Sequence, residues 1–262
     1  MAWIGIGGWS YPSWRGTFYP AEVARKDELT YASRRLTSIE INATYYRSQS
    51  PASFVRWHDE TPDGFVFAVK GPRFVTNRRV LAEAGPAIER FLAGGVMALG
   101  DKLGPINWQM MPTKVFEPDD FAAFLALLPP SADGRPLRHA VEVRHDSFRC
   151  AGFVSLMREH GVAVVVAGDS RYPQIADPTA AFVYARIMGV SDSEPAGYSE
   201  PLLDQWSQRI QAWEAGEQPE GLRTVAPPVA DGIRRNVFLY VISGCKERNP
   251  AAAMALMQRL RG

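Results

Sequence analysis

Cysteine and histidine are scarce in this chain of 262 residues, which holds two cysteines, Cys150 and Cys245, and four histidines. The two cysteines stand far apart and outside any metal-ligand spacing. That excludes a disulfide-stapled scaffold and a thiolate zinc site, and leads us to expect two free thiols in a reducing cytoplasm. A charge excess is also lacking. Lys plus Arg is 29 and Asp plus Glu is 28, a net charge of +1, so no global field is available to hold a polyanion. No uninterrupted apolar run is long enough to span a bilayer, and no membrane partner is expected. Met1 leads almost directly into a strand at Trp3, so a cleavable signal is not expected either. A complete glycine-rich phosphate loop is missing. Gly5-Ile6-Gly7-Gly8 lacks the third glycine, and an aromatic loop follows it where a dinucleotide-binding fold needs a helix. No cofactor is expected.

What remains is the composition of an ordinary globular domain, 46% hydrophobic and 22% charged. Short apolar runs alternate with helical periodicity along its whole length. Strands are expected over residues 3–7, 38–42, 65–70, 106–109, 139–144, 162–167, 182–187 and 237–242. Helices are expected over 27–36, from Pro51 onward, over 80–95 with breaks at Pro86 and Gly94-Gly95, and over 117–128. Further helices are expected before Gly161, around Leu202–Trp213, and at the carboxyl end. Residues 168–180 are too few and too proline-rich for a full helix. Such alternation implies parallel strands joined by right-handed crossovers. Eight strands make this a (β/α)8 TIM-barrel-like fold, α/β in class. It forms one domain over 1–262, with the crossover helix after strand six reduced or missing.

Six of these strands end in polar groups: Glu40 and Asn42, Lys70, Asn107 and Gln109, Glu142 with Arg144 and His145, Asp169, and Arg186. Strands covered by helices are normally apolar on both faces, so these groups must line the barrel mouth, where ligands of such barrels bind. Side chains alternate along a strand. That gathers Glu40, Lys70, Gln109, Glu142, Arg144, Asp169 and Arg186 at the mouth. Glu40, Glu142 and Asp169 are candidates for acid–base work. Lys70 is a candidate nucleophile, although pairing with Glu40 or Glu142 is the plainer expectation. Arg144 and Arg186 suit a carboxylate or phosphate. Asn42, Gln109 and His145 are candidate ligand contacts. No metal is expected, because no second histidine stands at ligand spacing from His145. A buried ionic network that binds nothing remains the competing reading of the same residues.

Aromatics crowd the loops after strands one and two. Trp9, Tyr11 and Tyr46 are candidate walls, with Arg47 beside them, for a small anionic or polyhydroxylated ligand. Arg47, Arg73, Arg78 and Arg79 give an alternative, a non-catalytic nucleic-acid-binding module. A degenerate barrel kept as a protein partner is the third reading.

Several of these segments resemble the YecE-like family, an uncharacterised family defined as domain of unknown function 72. They are Gly7-Gly8-Trp9-Ser10-Tyr11, Trp14-Arg15-Gly16-Thr17-Phe18-Tyr19-Pro20 and Ile39-Glu40-Ile41-Asn42-Ala43-Thr44-Tyr45-Tyr46-Arg47. Phe67-Ala68-Val69-Lys70, Leu103-Gly104-Pro105, Trp108-Gln109 and Ala140-Val141-Glu142-Val143-Arg144-His145 follow, then Asp169-Ser170 and Arg186. The resemblance implies a TIM-barrel-like fold with shared residues at the strand ends, and no established activity. It also marks departures. Asn77 and Met188 stand where the family usually has histidine. Ile242-Ser243-Gly244 replaces an Asn-Asn-Asp run, and Glu247-Arg248-Asn249-Pro250 replaces Gly-His-Ala-Pro. The last strand's usual contribution to a site is therefore absent.

Overall fold

The structure, a computed structural model, describes residues 1–227 and 231–261. Eight strands close into one barrel: β1 (Ala2–Gly7), β2 (Ser38–Ile41), β3 (Val66–Lys70), β4 (Leu103–Gln109), β5 (His139–Glu142), β6 (Ala163–Gly168), β7 (Phe182–Ile187) and β8 (Asn236–Val241). Neighbours around the barrel run β1-β8-β7-β6-β5-β4-β3-β2, and every pair is parallel. The covering helices are α1 (Glu28–Ser33), α2 (Pro51–Asp59), α3 (Gly85–Ala93), α4 (Pro118–Ala126), α5 (Ala151–Glu159), α6 (Glu200–Ala215) and α7 (Asn249–Arg261). Residues 169–181, between β6 and β7, contain no helix. Among the described residues no helix is long and apolar enough to cross a membrane.

The period-2 alternation of the strands divides the core in two. In β7, Val183, Ala185 and Ile187 pack outward under the helices, while Phe182 and Tyr184 join the interior cluster. In β8, Val237, Leu239 and Val241 face outward and Phe238 and Tyr240 inward. At the amino-terminal end of the barrel, Trp3 stacks on Phe238 with centroids 4.8 Å apart, and Phe182 meets Phe238 edge-on. Above this aromatic plug Tyr240 bonds Ser38 (2.8 Å) and packs against Tyr184. The same inward positions become ionic toward the carboxyl ends. The barrel axis thus runs from aromatic to charged.

Local chemistry sets several boundaries. Ser50 caps α2, accepting from the Ser53 amide, and Pro51 opens it. Pro86 lies in the first turn of α3 and so starts that helix, where the sequence suggests a break; its missing N–H is unneeded there. Helix α6 buries Leu203, Trp206, Ile210 and Trp213 against the barrel, each contributing roughly 1.5–3 kcal/mol. It ends at Gly216 in the left-handed region (φ 85°). Strand β4 begins three residues before the expected start, and β5 ends at Glu142, so Arg144 and His145 belong to a loop.

Candidate functional site

Arg186 is the centre of the barrel mouth. It ends the inward row of β7 and is buried, at 4% exposure. One Nη2 donates to Glu40 Oε1 (2.9 Å) on β2, and Nη1 pairs with Glu142 Oε2 on β5. The same Nη1 lies 3.3 Å from Gln109 Oε1. Glu40 also accepts from the Tyr184 hydroxyl (2.6 Å) and from Asn107 Nδ2 (3.4 Å). Glu142 Oε1 takes Arg144, whose Nε and Nη2 both stand 2.7 Å away. Burial alone would raise the Glu142 carboxyl, but Arg186, Arg144 and Lys70 outweigh it and hold it down at about 2. The Arg144 guanidinium lies 4.3 Å over the Tyr172 ring.

Lys70 departs from its expected pairing. It ends β3, is 5% exposed, and makes no ion pair among the described residues. Its ammonium donates to the neutral Gln109 Oε1 (2.5 Å) and sits 4.3 Å over the Tyr45 ring. Arg186 already occupies both carboxylates, which is why Lys70 is left with an amide. Burial, together with the Arg186 and Arg144 charges, pulls Lys70 down to about 8 against the opposing pull of Glu40 and Glu142. The next residue is Gly71, where a Cβ would stand 2.2 Å from the Trp108 ring. The side chain of Trp108, facing outward from β4, fills that space.

Glu40, Lys70, Gln109, Glu142, Arg144 and Arg186 therefore meet in one cluster. Asp169 does not join it. The chain turns after β6 with Asp169 at φ 49°, and its carboxylate accepts from Trp206 Nε1 (2.8 Å) on α6. A left-handed residue just past the strand sends the side chain away from the inward row. His145 makes no hydrogen bond to the cluster among the described residues. Its Nδ1 caps the turn Asp146–Phe148, accepting from the Ser147 amide and bonding the Ser147 hydroxyl. Tyr46 is exposed and lies on the Arg73 side, 5.8 Å from that guanidinium, while its neighbour Tyr45 covers Lys70. Residues Ala43–Tyr46 form one helical turn, so consecutive side chains point about 100° apart.

Trp9, Tyr11, Asn42 and Arg47 line a cleft of about 570 Å³ beside the cluster, joined by Arg56 and Trp57 from α2. The segment from Glu40 to Arg47 links the two, passing from the ionic cluster to the cleft wall and back to Tyr45. Trp9 packs edge-on against Trp57, and Lys246 lies 3.9 Å over the Tyr11 ring. Tyr172, Tyr184 and Arg56 join these surroundings without being among the residues that the sequence singles out. Asn107 and Tyr184 follow from strand alternation, being one step of two residues from Gln109 and Arg186. Tyr172 and Arg56 carry no such signal, since one sits in an irregular loop and the other on a helix. The outer arginines Arg73 and Arg79 are exposed on and after the turn Arg73–Thr76. Among the described residues no group of three or more His, Cys, Asp or Glu side chains is placed to hold a metal ion.

Known proteins share this architecture. A DUF72 family protein of Thermotoga maritima MSB8 superposes with a TM-score of 0.75 at 22% identity, covering 100% of both chains. One of Enterococcus faecalis V583 gives 0.73 at 15% identity, covering 100% of this chain and 96% of the other. At such identities these likenesses speak for the fold alone. The UPF0759 protein YecE of Escherichia coli (strain K12) is 29% identical over 155 residues, 58% of this chain and 52% of that protein. The chain spans about half the length of the curated relatives it matches. Residues 3–262 match the family described as protein of unknown function DUF72, and the chain belongs to that family.

Proposed function

We propose that this chain binds a small molecule bearing a carboxylate or phosphate at the mouth of its barrel. The observation that carries this reading is the charge inventory of the buried cluster. Among the described residues Lys70, Arg144 and Arg186 face only two carboxylates, Glu40 and Glu142, and the cation left over is Lys70. An uncompensated buried charge is costly, and an anion entering the mouth would offset it. The adjoining cleft supports the same reading. Its charged lining residues are Arg47 and Arg56, its walls are Trp9, Tyr11 and Trp57, and its volume suits a small ligand. Polyhydroxylated groups on the ligand would find Asn42, Gln49 and Ser53 there.

Acid–base work by Glu142 is not favoured, because arginines occupy both of its oxygens and hold it ionised. That arrangement favours recognition of an anion, with Lys70 as the one cation of the buried cluster that has no ionic partner among the described residues.

Thermal unfolding against sugar phosphates, 2-oxo acids, nucleotides, divalent metals and short oligonucleotides tests this. A ligand at a hundred times its dissociation constant stabilises by about 2.7 kcal/mol. Stabilisation by small anions that Lys70→Met removes is the expected result. Stabilisation only by oligonucleotides, kept in Lys70→Met and lost in Arg73→Ala with Arg79→Ala, would instead put binding on the outer arginines. No shift with any anion would overturn the reading.

A further inference from the structure

We infer that Lys70 is an imine-forming amine, taking carbonyl compounds that carry an anionic group, 2-oxo acids above all. This rests on the anion-binding reading of the same mouth.

The chain has five lysines, and the structure separates Lys70 from the others. Lys26 is exposed, Lys114 pairs with Asp120 (2.9 Å), and Lys246 lies over the Tyr11 ring. Lys102 is buried, but its ammonium is held at 2.6 Å by two backbone carbonyls, those of His58 and Thr61. Lys70 has one neutral acceptor and one aromatic face, with Arg186 sharing the same Gln109 oxygen. A lysine that is desolvated and crowded by other cations keeps a larger share of free amine near neutrality, and free amine is the nucleophile. The lowering of Lys70 to about 8 agrees with that placement.

Charge selects the substrate class. The protonated amine and the protonated imine each carry one positive charge, so imine formation leaves the surplus of the cluster unchanged. A carboxylate or phosphate on the same small molecule offsets that surplus, with Arg144 and its Tyr172 partner at the outer side of the cluster. The covering ring, Tyr45, is half-buried on the single helical turn Ala43–Tyr46, 4.3 Å from the amine, so a carbonyl compound entering the mouth meets this ring first. In the step itself the lone pair of neutral Lys70 Nζ adds to the carbonyl carbon. The nitrogen loses one proton and the oxygen gains one, giving a carbinolamine. A second proton from solvent lets that oxygen leave as water, while the nitrogen lone pair closes the C=N bond. Amine, carbonyl and one proton thus give a protonated imine and one water, with no oxidant or reductant.

The test is reductive trapping on the folded chain. Glyoxylate or pyruvate with cyanoborohydride is followed by proteolysis and peptide mass measurement, across pH 6.5 to 9. The expected result is one adduct, with glyoxylate a single carboxymethyl group, on Lys70. It should form at least about tenfold faster than on Lys26 or Lys246, with a rate that rises toward a plateau above about pH 8. Adducts on Lys26 or Lys246 with Lys70 unmodified would overturn the inference. Lys70→Arg removes the amine, so trapping at position 70 should vanish. Wild-type protein that pyruvate stabilises without trapping at Lys70 defeats the imine alone. Protein that no anion stabilises defeats the anion-binding reading on which it rests.

Discussion

Lys70 donates to the amide oxygen of Gln109, while the two carboxylates of the same cluster belong to Arg186 and Arg144. The barrel therefore carries a buried cation whose charged form it disfavours. Lys70→Met, which fills similar volume without charge, should stabilise the chain at pH 7 by roughly 1–3 kcal/mol. Urea denaturation measures this directly. Loss of stability in the variant would mean that the Gln109 bond and the Tyr45 contact outweigh the desolvation cost.

The same lysine gives a pH dependence of defined sign. Its folded pKa, about 8, lies below the ordinary 10.5. Between those values the unfolded chain holds more protons than the folded one, so the Lys70 contribution to stability rises with pH across that window. Comparing wild type with Lys70→Met at pH 7.5 and pH 10 isolates it. The advantage of the variant should shrink at the higher pH.

Glu142 acts in the opposite range. Its folded pKa, about 2, lies below the ordinary 4.5. Its ion pairs therefore contribute stability that is complete above about pH 4.5 and lost as pH falls toward 2. The size is on the order of 3 kcal/mol. Acid unfolding of Glu142→Gln should be flatter than that of wild type through this window, and equal slopes would remove Glu142 as its source.

Much of this cluster was legible from strand alternation alone. Glu40, Lys70, Gln109, Glu142 and Arg186 occupy inward positions at strand ends, and their types are too polar for a face covered by helices. The failures have one cause. Asp169, His145 and Tyr46 lie just beyond a strand, where side-chain direction follows the turn and no longer the pleat. Asp169 turns through a left-handed residue, His145 caps a short turn, and Tyr46 yields its place to Tyr45 within one helical turn. The partner of Lys70 was misread for a different reason. Composition shows which charges share the mouth, but only the reach of Arg186 across the barrel decides which of them pair.

Arg186 is the residue whose loss the fold should tolerate least. It bridges Glu40 and Glu142 across the barrel, and Glu40 makes no other ion pair among the described residues. Arg186→Met should destabilise by about 3–5 kcal/mol, because it leaves the Glu40 carboxylate buried without a cation. Adding Glu40→Gln should recover part of that loss, a coupling that a double-mutant cycle in urea would register. Additive effects of the two changes would contradict the bridge.

Arg47 separates binding from folding. It lines the cleft, is exposed, and donates no side-chain hydrogen bond among the described residues. Arg47→Ala should therefore alter stability by less than about 0.5 kcal/mol. Its charge still bears on an anion in the cleft. An exposed cation contributes roughly 0.5–1 kcal/mol to such a contact, so affinity for a small phosphate or carboxylate should fall about two- to fivefold. The difference from wild type should shrink as salt is raised, since exposed charges are screened within about 10 Å at 0.1 M. Lys70→Met should lose far more affinity with little dependence on salt, because its charge is buried. Titration calorimetry of both variants at two ionic strengths distinguishes an anion held in the barrel mouth from one held at the rim. An Arg47→Ala loss larger than that of Lys70→Met would move the binding site outward to the cleft.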